Sequence, residues 1–445
     1  MQFKNQKILV LGLAKSGYAA ANLLHSLGAD VTVNDFSPEE GNAEAKALID
    51  KGLRVICGGH PANLMDDGFK LVVKNPGIPY TNPVVQEALA KNVPIWTEIE
   101  LAYKISEAPI VGITGSNGKT TTTTILYHML SIGGKKPLIA GNIGTVACTV
   151  AEEATEDNVI VLEASSFQLM GTESFRPKIS ILTNLYDAHL DYHGSFEAYA
   201  AAKAAITSEQ QEDDFLIYND DQEAIREIAS TSNAIKIPFS LEGKKEYGIS
   251  ADDTEIYWNG EPFINRSVIK LPGQHNLENI LSATAAAILL GCKKSAITDV
   301  LSSFTGVKHR MQFVKELQGR KYYNDSKATN TLATKSALAA FDAPIILLAG
   351  GLDREHSFEE LRPFMGNVKA VVALGETKER FMTFASSCGV EIVVGAGTMA
   401  EAVQTAHSLS KVNDVVLLSP ASASWDEYPS FEVRGDKFIE AVLTL

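Results

Sequence analysis

Residues 112–122 read Gly-Ile-Thr-Gly-Ser-Asn-Gly-Lys-Thr-Thr-Thr. The apolar run Pro109-Ile110-Val111 leads into this stretch. Behind it, Ile125, Leu126, Met129 and Leu130 share one helical face that ends at Gly133-Gly134. The order is strand, glycine-rich loop, helix. Gly115 and Gly118 let backbone N–H groups turn inward on a phosphate chain with no Cβ in the way. The helix N-terminus adds partial positive charge. Lys119 is placed to reach the β- and γ-phosphates, and the Thr120 hydroxyl to hold Mg²⁺. The common phosphate loop has a glycine five residues before the one that precedes lysine; here that position is Ile113, and Gly115 serves instead. A glycine-rich turn with a solvated lysine is the alternative. The agreement of strand, glycines, lysine, threonine and helix favours an ATP-type nucleotide held by Gly115, Ser116, Asn117, Gly118, Lys119, Thr120 and Thr121.

Outward from this loop, 445 residues suggest roughly three domains. Hydrophobic residues at 45% and charged residues at 21% are ordinary for a soluble globular protein, and the alternation of strand and helix read below makes the class α/β. A net charge of −15 argues against nucleic acid as the main partner, because phosphate neutralisation needs a basic surface. Cys57, Cys148, Cys292 and Cys388 form no CxxC pair, so a thiolate metal site or a disulfide framework is not expected. The start, MQFKNQKILV, has no signal-peptide profile, and no apolar run is long enough to cross a bilayer. A cytoplasmic enzyme with no membrane partner, acting as a monomer, is the expectation.

Residues 1–105 alternate strand and helix. Ile8–Leu11 reads as a buried strand ending at Gly12-Leu13-Ala14-Lys15-Ser16-Gly17, followed by a helix through Leu27 and a strand at Val31–Asp35. The pattern resembles the first βαβ unit of a dinucleotide fold, with Asp35 about 20 residues on. Ala14 replaces the middle glycine, so a nucleotide-diphosphate pocket fits better than a nicotinamide site; a turn that holds no ligand is the alternative. The turn Asn75-Pro76-Gly77-Ile78 follows the strand Leu71–Val73, at the end of a strand where such sheets bind ligands.

Residues 106–306 carry the phosphate loop, Asn142 between two glycines, and a strand, Val159–Leu162, that ends in Glu163. An acid at the end of a strand beside such a loop is the usual Mg²⁺ partner. His189 and Asp191 follow the strand Ile179–Leu182; a histidine and two carboxylates, with Glu163, at adjacent strand ends suggest a second cation site, with a structural histidine the alternative. Lys203, on a small-residue helix, reads as a surface lysine. Asn259-Gly260 marks a hairpin. Asn276 and Asn279 share the first-turn face of a helix running to Leu290, with Asn276 as a plain N-cap the alternative. Residues 307–445 repeat the α/β pattern, with strands near 322–323, 345–348, 370–373, 392–394 and 415–418 and polar clusters after three of them.

The ordered motifs TGSNGKT, GNIG, LEASSFQL, HLDYH, AAAK, GQHNLEN, KHRM, NDSKATN, AGG and SPASASWDEY together resemble the Mur ligases over the whole chain. Folylpolyglutamate synthase shares only the central loop set and the C-terminal architecture. The resemblance implies three domains: a Rossmann-like UDP-sugar domain (1–105), a central P-loop domain with a parallel sheet and a small β-meander (106–306), and a Rossmann-like domain for the incoming amino acid (307–445). It implies ATP-dependent amide formation between UDP-N-acetylmuramoyl-L-alanine and D-glutamate through an acyl phosphate. Lys15, Ser16, Asp35, Asn75, Asn142 and Lys327 are implied for the UDP-sugar, and Asn276, Asn279, Arg310 and Asp325 for the nucleotide. Thr329, Arg354, Ser424 and Phe431 are implied for D-glutamate. Lys119, His189 and Lys203 are implied in catalysis; Thr120, Glu163, His189 and a carbamate on Lys203 are implied around two Mg²⁺ ions. The carbamate reverses the surface reading of Lys203, because it replaces a cation with an anion that binds metal. Many members carry lysine where this chain has Arg354; arginine still pairs with a carboxylate, and bidentately. Rival readings are an ATPase switch or transport module, a nicotinamide oxidoreductase, and a family member that adds a different amino acid.

Overall fold

Strands covered by helices on both faces need apolar side chains on both sides, and the central strand runs of this chain are largely apolar. Ile110–Thr114, Leu71–Lys74 and Ile345–Gly350 are buried along their full lengths. The computed structural model describes residues 3–445, with the Asp191 side chain outside the described set. Its contacts divide the chain into two compact units, residues 1–268 with 275–302, and residues 269–274 with 303–445.

The first unit holds two sheets. The five-stranded one is parallel, in the order Arg54–Ile56, Asp30–Asn34, Lys7–Leu11, Leu71–Lys74, Ile95–Trp96. The nine-stranded one runs Glu261–Asn265, Glu255–Trp258, Ile249–Ala251, Ile235–Ser240, Phe215–Asn219, Ile179–Leu182, Ile110–Thr114, Asn158–Glu163, Lys136–Gly141. Its last seven strands are parallel. The expected meander is joined to it: Ile249–Ala251 pairs with Ile235–Ser240, and Asn259-Gly260, both at positive φ, turns the antiparallel hairpin. One apolar core runs from Ile8, Val10 and Leu24 to Ile110, Ala140 and Leu162. The helices Lys15–Ser26 and Glu98–Ile105 both pack on Ala147–Glu153.

The second unit is a six-stranded sheet, Gln312–Leu317, Arg320–Asn324, Val415–Leu418, Ile345–Gly350, Val368–Leu374, Ile392–Gly395. It is parallel except for the first pair. The edge strand Gln312–Leu317 carries polar Gln312, Lys315 and Glu316 among its apolar residues, so it lacks the run that marks a central strand.

Two local readings change. Lys203 is 1% exposed and not on the surface. The small residues of its helix bring that face down onto the phosphate loop. Asn276 lies inside the helix Gln274–Leu289 and is buried, so it is no simple N-cap. The helix Lys119–Ile132 begins after Gly118 in a left-handed conformation, where no side chain caps it.

Candidate active site

The phosphate loop is closed to any residue but glycine at two points. Gly115 has φ +149°, and a Cβ there would lie 2.0 Å from Thr183 Oγ1. Gly118 has φ +81°, and its Cβ would lie 2.0 Å from Asn279 Oδ1. The loop is held from the next strand's end. Asn184 accepts from Ser116 N–H (2.8 Å) through its carbonyl and from Asn117 N–H (2.8 Å) through Oδ1, while Thr183 Oγ1 donates to the Asn117 carbonyl (2.8 Å). Tyr199 pairs its hydroxyl with Ser116 Oγ at 2.9 Å. Asn184 and Tyr199 have no place among the residues expected from sequence. Asn184 is legible only as a polar residue at a strand end, and Tyr199 only by sitting one helical turn before Lys203.

Lys119 Nζ donates to the carbonyls of Gly115 (2.7 Å) and Ser116 (2.9 Å), which keeps the amine over the loop. Lys203 Nζ donates to the same Gly115 carbonyl at 2.8 Å and lies 4.8 Å from the Tyr199 ring centroid. Burial drives the Lys203 amine well below its ordinary pKa; the charge of Lys119 pushes in the same direction and Glu163 opposes it. Thr120 Oγ1 donates to Glu163 Oε2 (2.8 Å), and Asn142 Nδ2 donates to Glu163 Oε1 (2.7 Å). Thr121 is half-buried in the same first turn. Asn279 accepts from Thr122 Oγ1 at 3.3 Å and donates to Asn276 Oδ1 at 3.4 Å. His189 stands at φ +55° before the short helix Leu190–His193, with its ring 5.0 Å from that of Phe167. Among the described residues, no three His, Cys, Asp or Glu side chains gather into a metal-binding group. Among the oxygens beside the loop, Thr120 Oγ1 and Glu163 Oε2 meet at 2.8 Å.

The first βα turn and the Asn75 loop meet. Asn75 Nδ2 donates to Ser16 Oγ at 2.9 Å. Gly12, at φ +92°, has no room for a Cβ against Ile78 and Asn75, and a Cβ on Gly17 would lie 1.8 Å from the Gly12 carbonyl. Lys15 is exposed at the helix start. Asp35 accepts from the backbone N–H groups of Leu13 (2.6 Å) and Ser37 (2.8 Å), so part of its role is to shape the turn itself.

In the second unit Asp325, Lys327, Thr329, Arg354 and Ser424 lie beyond the C-terminal ends of strands, while Arg310 precedes the edge strand Gln312–Leu317 and Phe431 opens the last helix. Asp325 accepts from Met311 N–H (3.1 Å) and Ser419 Oγ (3.0 Å), and burial lifts its carboxyl to about 7. Arg310, next to Met311 in the chain, acts on it electrostatically and opposes that rise. Lys327 Nζ sits 4.9 Å above the Phe431 ring, and Thr329 N–H donates to the Lys327 carbonyl. Arg354 is exposed and stacks its guanidinium on Trp425, 5.0 Å from the centroid. Ser424 is 1% exposed, and its hydroxyl has no hydrogen-bond partner. Arg434, missed in the sequence, ties these loops together. It donates to the carbonyls of Ser326 (2.8 Å), Ser422 (3.0 Å) and Ala423 (3.2 Å) and to Ser326 Oγ (3.1 Å). Its signal was there to read: Phe431, Arg434, Phe438 and Val442 share one face of the last helix, and the arginine is the lone charge on that apolar stripe.

Three family models cover the chain: the Mur ligase MurD-like N-terminal domain matches residues 6–97, the Mur ligase middle domain residues 113–287, and the Mur ligase glutamate ligase domain residues 309–422. The UDP-N-acetylmuramoylalanine--D-glutamate ligase of Geobacillus sp. (strain WCH70) is 55% identical over 441 residues, covering 99% of this chain and 98% of that one. The protein of the same name from Bacillus cereus (strain G9842) is 54% identical over the same length and shares. Among solved structures, the UDP-N-acetylmuramate-alanine ligase of Thermotoga maritima aligns with a TM-score of 0.59 at 20% identity, covering 99% of this chain and 100% of that one. A MurF ligase of the same organism, in complex with ADP, aligns with 0.58 at 17% identity, covering 99% and 95%. At that identity the structures speak for the fold alone, while the sequence relatives and the three matched domains settle membership: the chain belongs to the Mur ligase family.

Proposed function

We propose that the chain is an ATP-dependent ligase that joins D-glutamate to UDP-N-acetylmuramoyl-L-alanine, a step of peptidoglycan synthesis, in the cytoplasm. The observation that carries this reading is 55% identity, end to end, to a ligase of that name. The glycine cradle supports ATP as the energy source, since at Gly115 and Gly118 a Cβ would collide with Thr183 and Asn279.

A carboxylate is a poor electrophile, so its oxygen must become a leaving group. In the proposed course the L-alanyl carboxylate oxygen attacks the γ-phosphorus of ATP, ADP departs, and an acyl phosphate forms. The deprotonated amine of D-glutamate then adds to the carbonyl carbon, and phosphate leaves. Lys119 holds the phosphates and offsets the charge that develops on the transferring group. Asn276 and Asn279 present amides to the nucleotide from the helix beside the loop, and Arg310 and Asp325 complete its contacts. Lys15, Ser16, Asp35, Asn75, Asn142 and Lys327 receive the UDP-sugar. Thr329, Arg354, Ser424 and Phe431 form the D-glutamate pocket; the unpartnered Ser424 hydroxyl is a donor awaiting an acceptor, and a diacid supplies one.

The buried oxygens of Thr120 and Glu163 suit Mg²⁺, a hard cation that takes oxygen ligands. Mg²⁺ there supplies charge neutralisation for the phosphates. A second ion is assigned to His189 and Lys203. An ammonium repels a cation, but burial favours the neutral amine of Lys203, the form that adds CO₂ to give an anionic carbamate.

The test is phosphate release from ATP with UDP-N-acetylmuramoyl-L-alanine, each candidate amino acid being added in turn. Release that requires both the UDP-sugar and D-glutamate is the expected outcome. Release with another amino acid reassigns the pocket around Arg354 and Ser424, and release that needs no amino acid supports the ATPase module.

A further inference from the structure

Two buried charges in the first unit have no part in the chemistry above. Lys74 ends the strand Leu71–Lys74 and is 1% exposed; Glu98 opens the helix Glu98–Ile105 and is 3% exposed. Burying an ionisable group costs several kcal/mol unless its polar atoms find partners, so the contacts each one keeps show what it holds. Lys74 Nζ donates to the carbonyls of Ile78 (3.0 Å) and Pro76 (3.2 Å) and lies 4.9 Å from the Tyr80 ring centroid. It therefore clamps the loop whose first residue, Asn75, holds Ser16 of the first turn. Tyr192 braces the same loop from the central region, its hydroxyl donating to the Ile78 carbonyl at 3.1 Å.

Glu98 faces the other way. Its Oε1 accepts from Gln168 Nε2 at 2.6 Å, while Oε2 is buried with no hydrogen-bond partner. Gln168 Oε1 in turn accepts from the Ser165 N–H and hydroxyl, a capping box two residues after Glu163. Thr97 Oγ1 donates to the Gln168 carbonyl at 2.6 Å. The two charges thus stand between the loop assigned to the UDP-sugar and the turn that follows the acid assigned to Mg²⁺. Tyr80, whose ring lies under the Lys74 amine, spans that junction: its hydroxyl donates to the Met170 carbonyl, at the end of the helix that carries Gln168, at 2.8 Å.

We infer that Lys74 and Glu98 are positioning residues for the UDP-sugar: the pair sets the Pro76–Ile78 loop in register with the Ser165–Leu169 turn, and so sets where the substrate carboxyl meets the phosphate loop. The inference rests on the assignment of the first sheet to the UDP-sugar. It makes the strand end at Lys74 and the helix start at Glu98 parts of one device, in which each side chain holds a different loop and the Tyr80–Met170 hydrogen bond joins the two.

The test compares the wild type with Lys74→Met, which keeps length and removes charge and donors, and Glu98→Gln. Calorimetric binding of the UDP-sugar without ATP is measured beside steady-state phosphate release. Each variant is expected to weaken UDP-sugar binding or raise its KM at least tenfold, while KM for ATP stays within twofold. A purely structural pair would move both KM values together or lower only the melting temperature, and either result overturns the inference. A second readout needs no loss of the side chain. Burial lowers the Lys74 amine to about 8, with Glu98 opposing; the groups facing it are Glu98, Tyr80 and Tyr192, and burial raises the pKa of all three. In the wild type, kcat/KM for the UDP-sugar should fall as pH rises through about 8, and in Lys74→Arg that fall should be gone. A wild-type profile flat from pH 7 to 9 overturns the inference. A wild type that binds the UDP-sugar but couples a different amino acid would refute the D-glutamate reading and leave this one standing.

Discussion

The phosphate loop and the loops around Ser424 differ in how far each satisfies its own polar groups. At the phosphate loop, Lys119, Thr120, Glu163, Asn142 and Asn184 all have protein partners within 3 Å. In the second unit, the hydroxyls of Ser422 and Ser424 and Asp426 Oδ1 are buried without a partner, and Asp325 is buried far enough to lift its carboxyl to about 7. The first arrangement is set before any ligand arrives, which suits a group that only stabilises developing charge. The second leaves polar atoms whose desolvation is unrewarded until a ligand pairs with them. Specificity gathers at such atoms, because the wrong ligand leaves them unpaired.

The comparison breaks most readily at Lys203. Lys203→Ala is expected to cut phosphate release by about a thousandfold, on the scale of a lost charge-stabilising group. Acetate or formate should restore part of it by supplying an anion in the vacated space; full activity in the mutant would remove the carbamate from the scheme. Next in size is Gly118→Ala. Its Cβ would lie 2.0 Å from Asn279 Oδ1 at φ +81°, so ATP affinity should fall about a hundredfold by titration, with UDP-sugar affinity unchanged. Unchanged ATP affinity would show the cradle to be less rigid than its contacts imply.

Two smaller effects test the other side. The ordinary Asp value lies near 4, and burial raises Asp325 to about 7. The folded chain therefore keeps a proton that the unfolded chain releases, and this residue's contribution to stability is lost as pH rises from about 4 to about 7. Relative to the wild type, Asp325→Asn should gain about 2 kcal/mol between pH 5 and pH 8 in denaturant unfolding, and a pH-independent difference would contradict the buried-carboxyl account. Ser424→Ala should raise KM for D-glutamate about tenfold while leaving the melting temperature equal or higher, since it removes an unpaired buried hydroxyl. A lower melting temperature with an unchanged KM would mean that the hydroxyl serves the fold and not the ligand.

The local grammar of the sequence determined much of this molecule. The strand–glycine–lysine–helix order at 109–133 became the strand Ile110–Thr114 and the helix Lys119–Ile132. Apolar runs at 8–11, 71–73, 345–348 and 415–418 became strands, because a run buried on both faces needs nothing from outside itself to be recognised. Asn259-Gly260 likewise forces its hairpin through backbone conformation alone. Tertiary structure decided whatever depends on a partner distant in the chain. Lys203 reads as a solvated lysine until its helix lies on Gly115, 88 residues away. Arg434 reads as one more charge until its helix reaches Ser326, 108 residues away. Lys74 and Glu98 carry no motif, and the junction of two sheets gives them their meaning. Period and turn chemistry are properties of neighbours along the chain, whereas burial, and with it the charge a side chain keeps, is decided by whatever the fold brings against it.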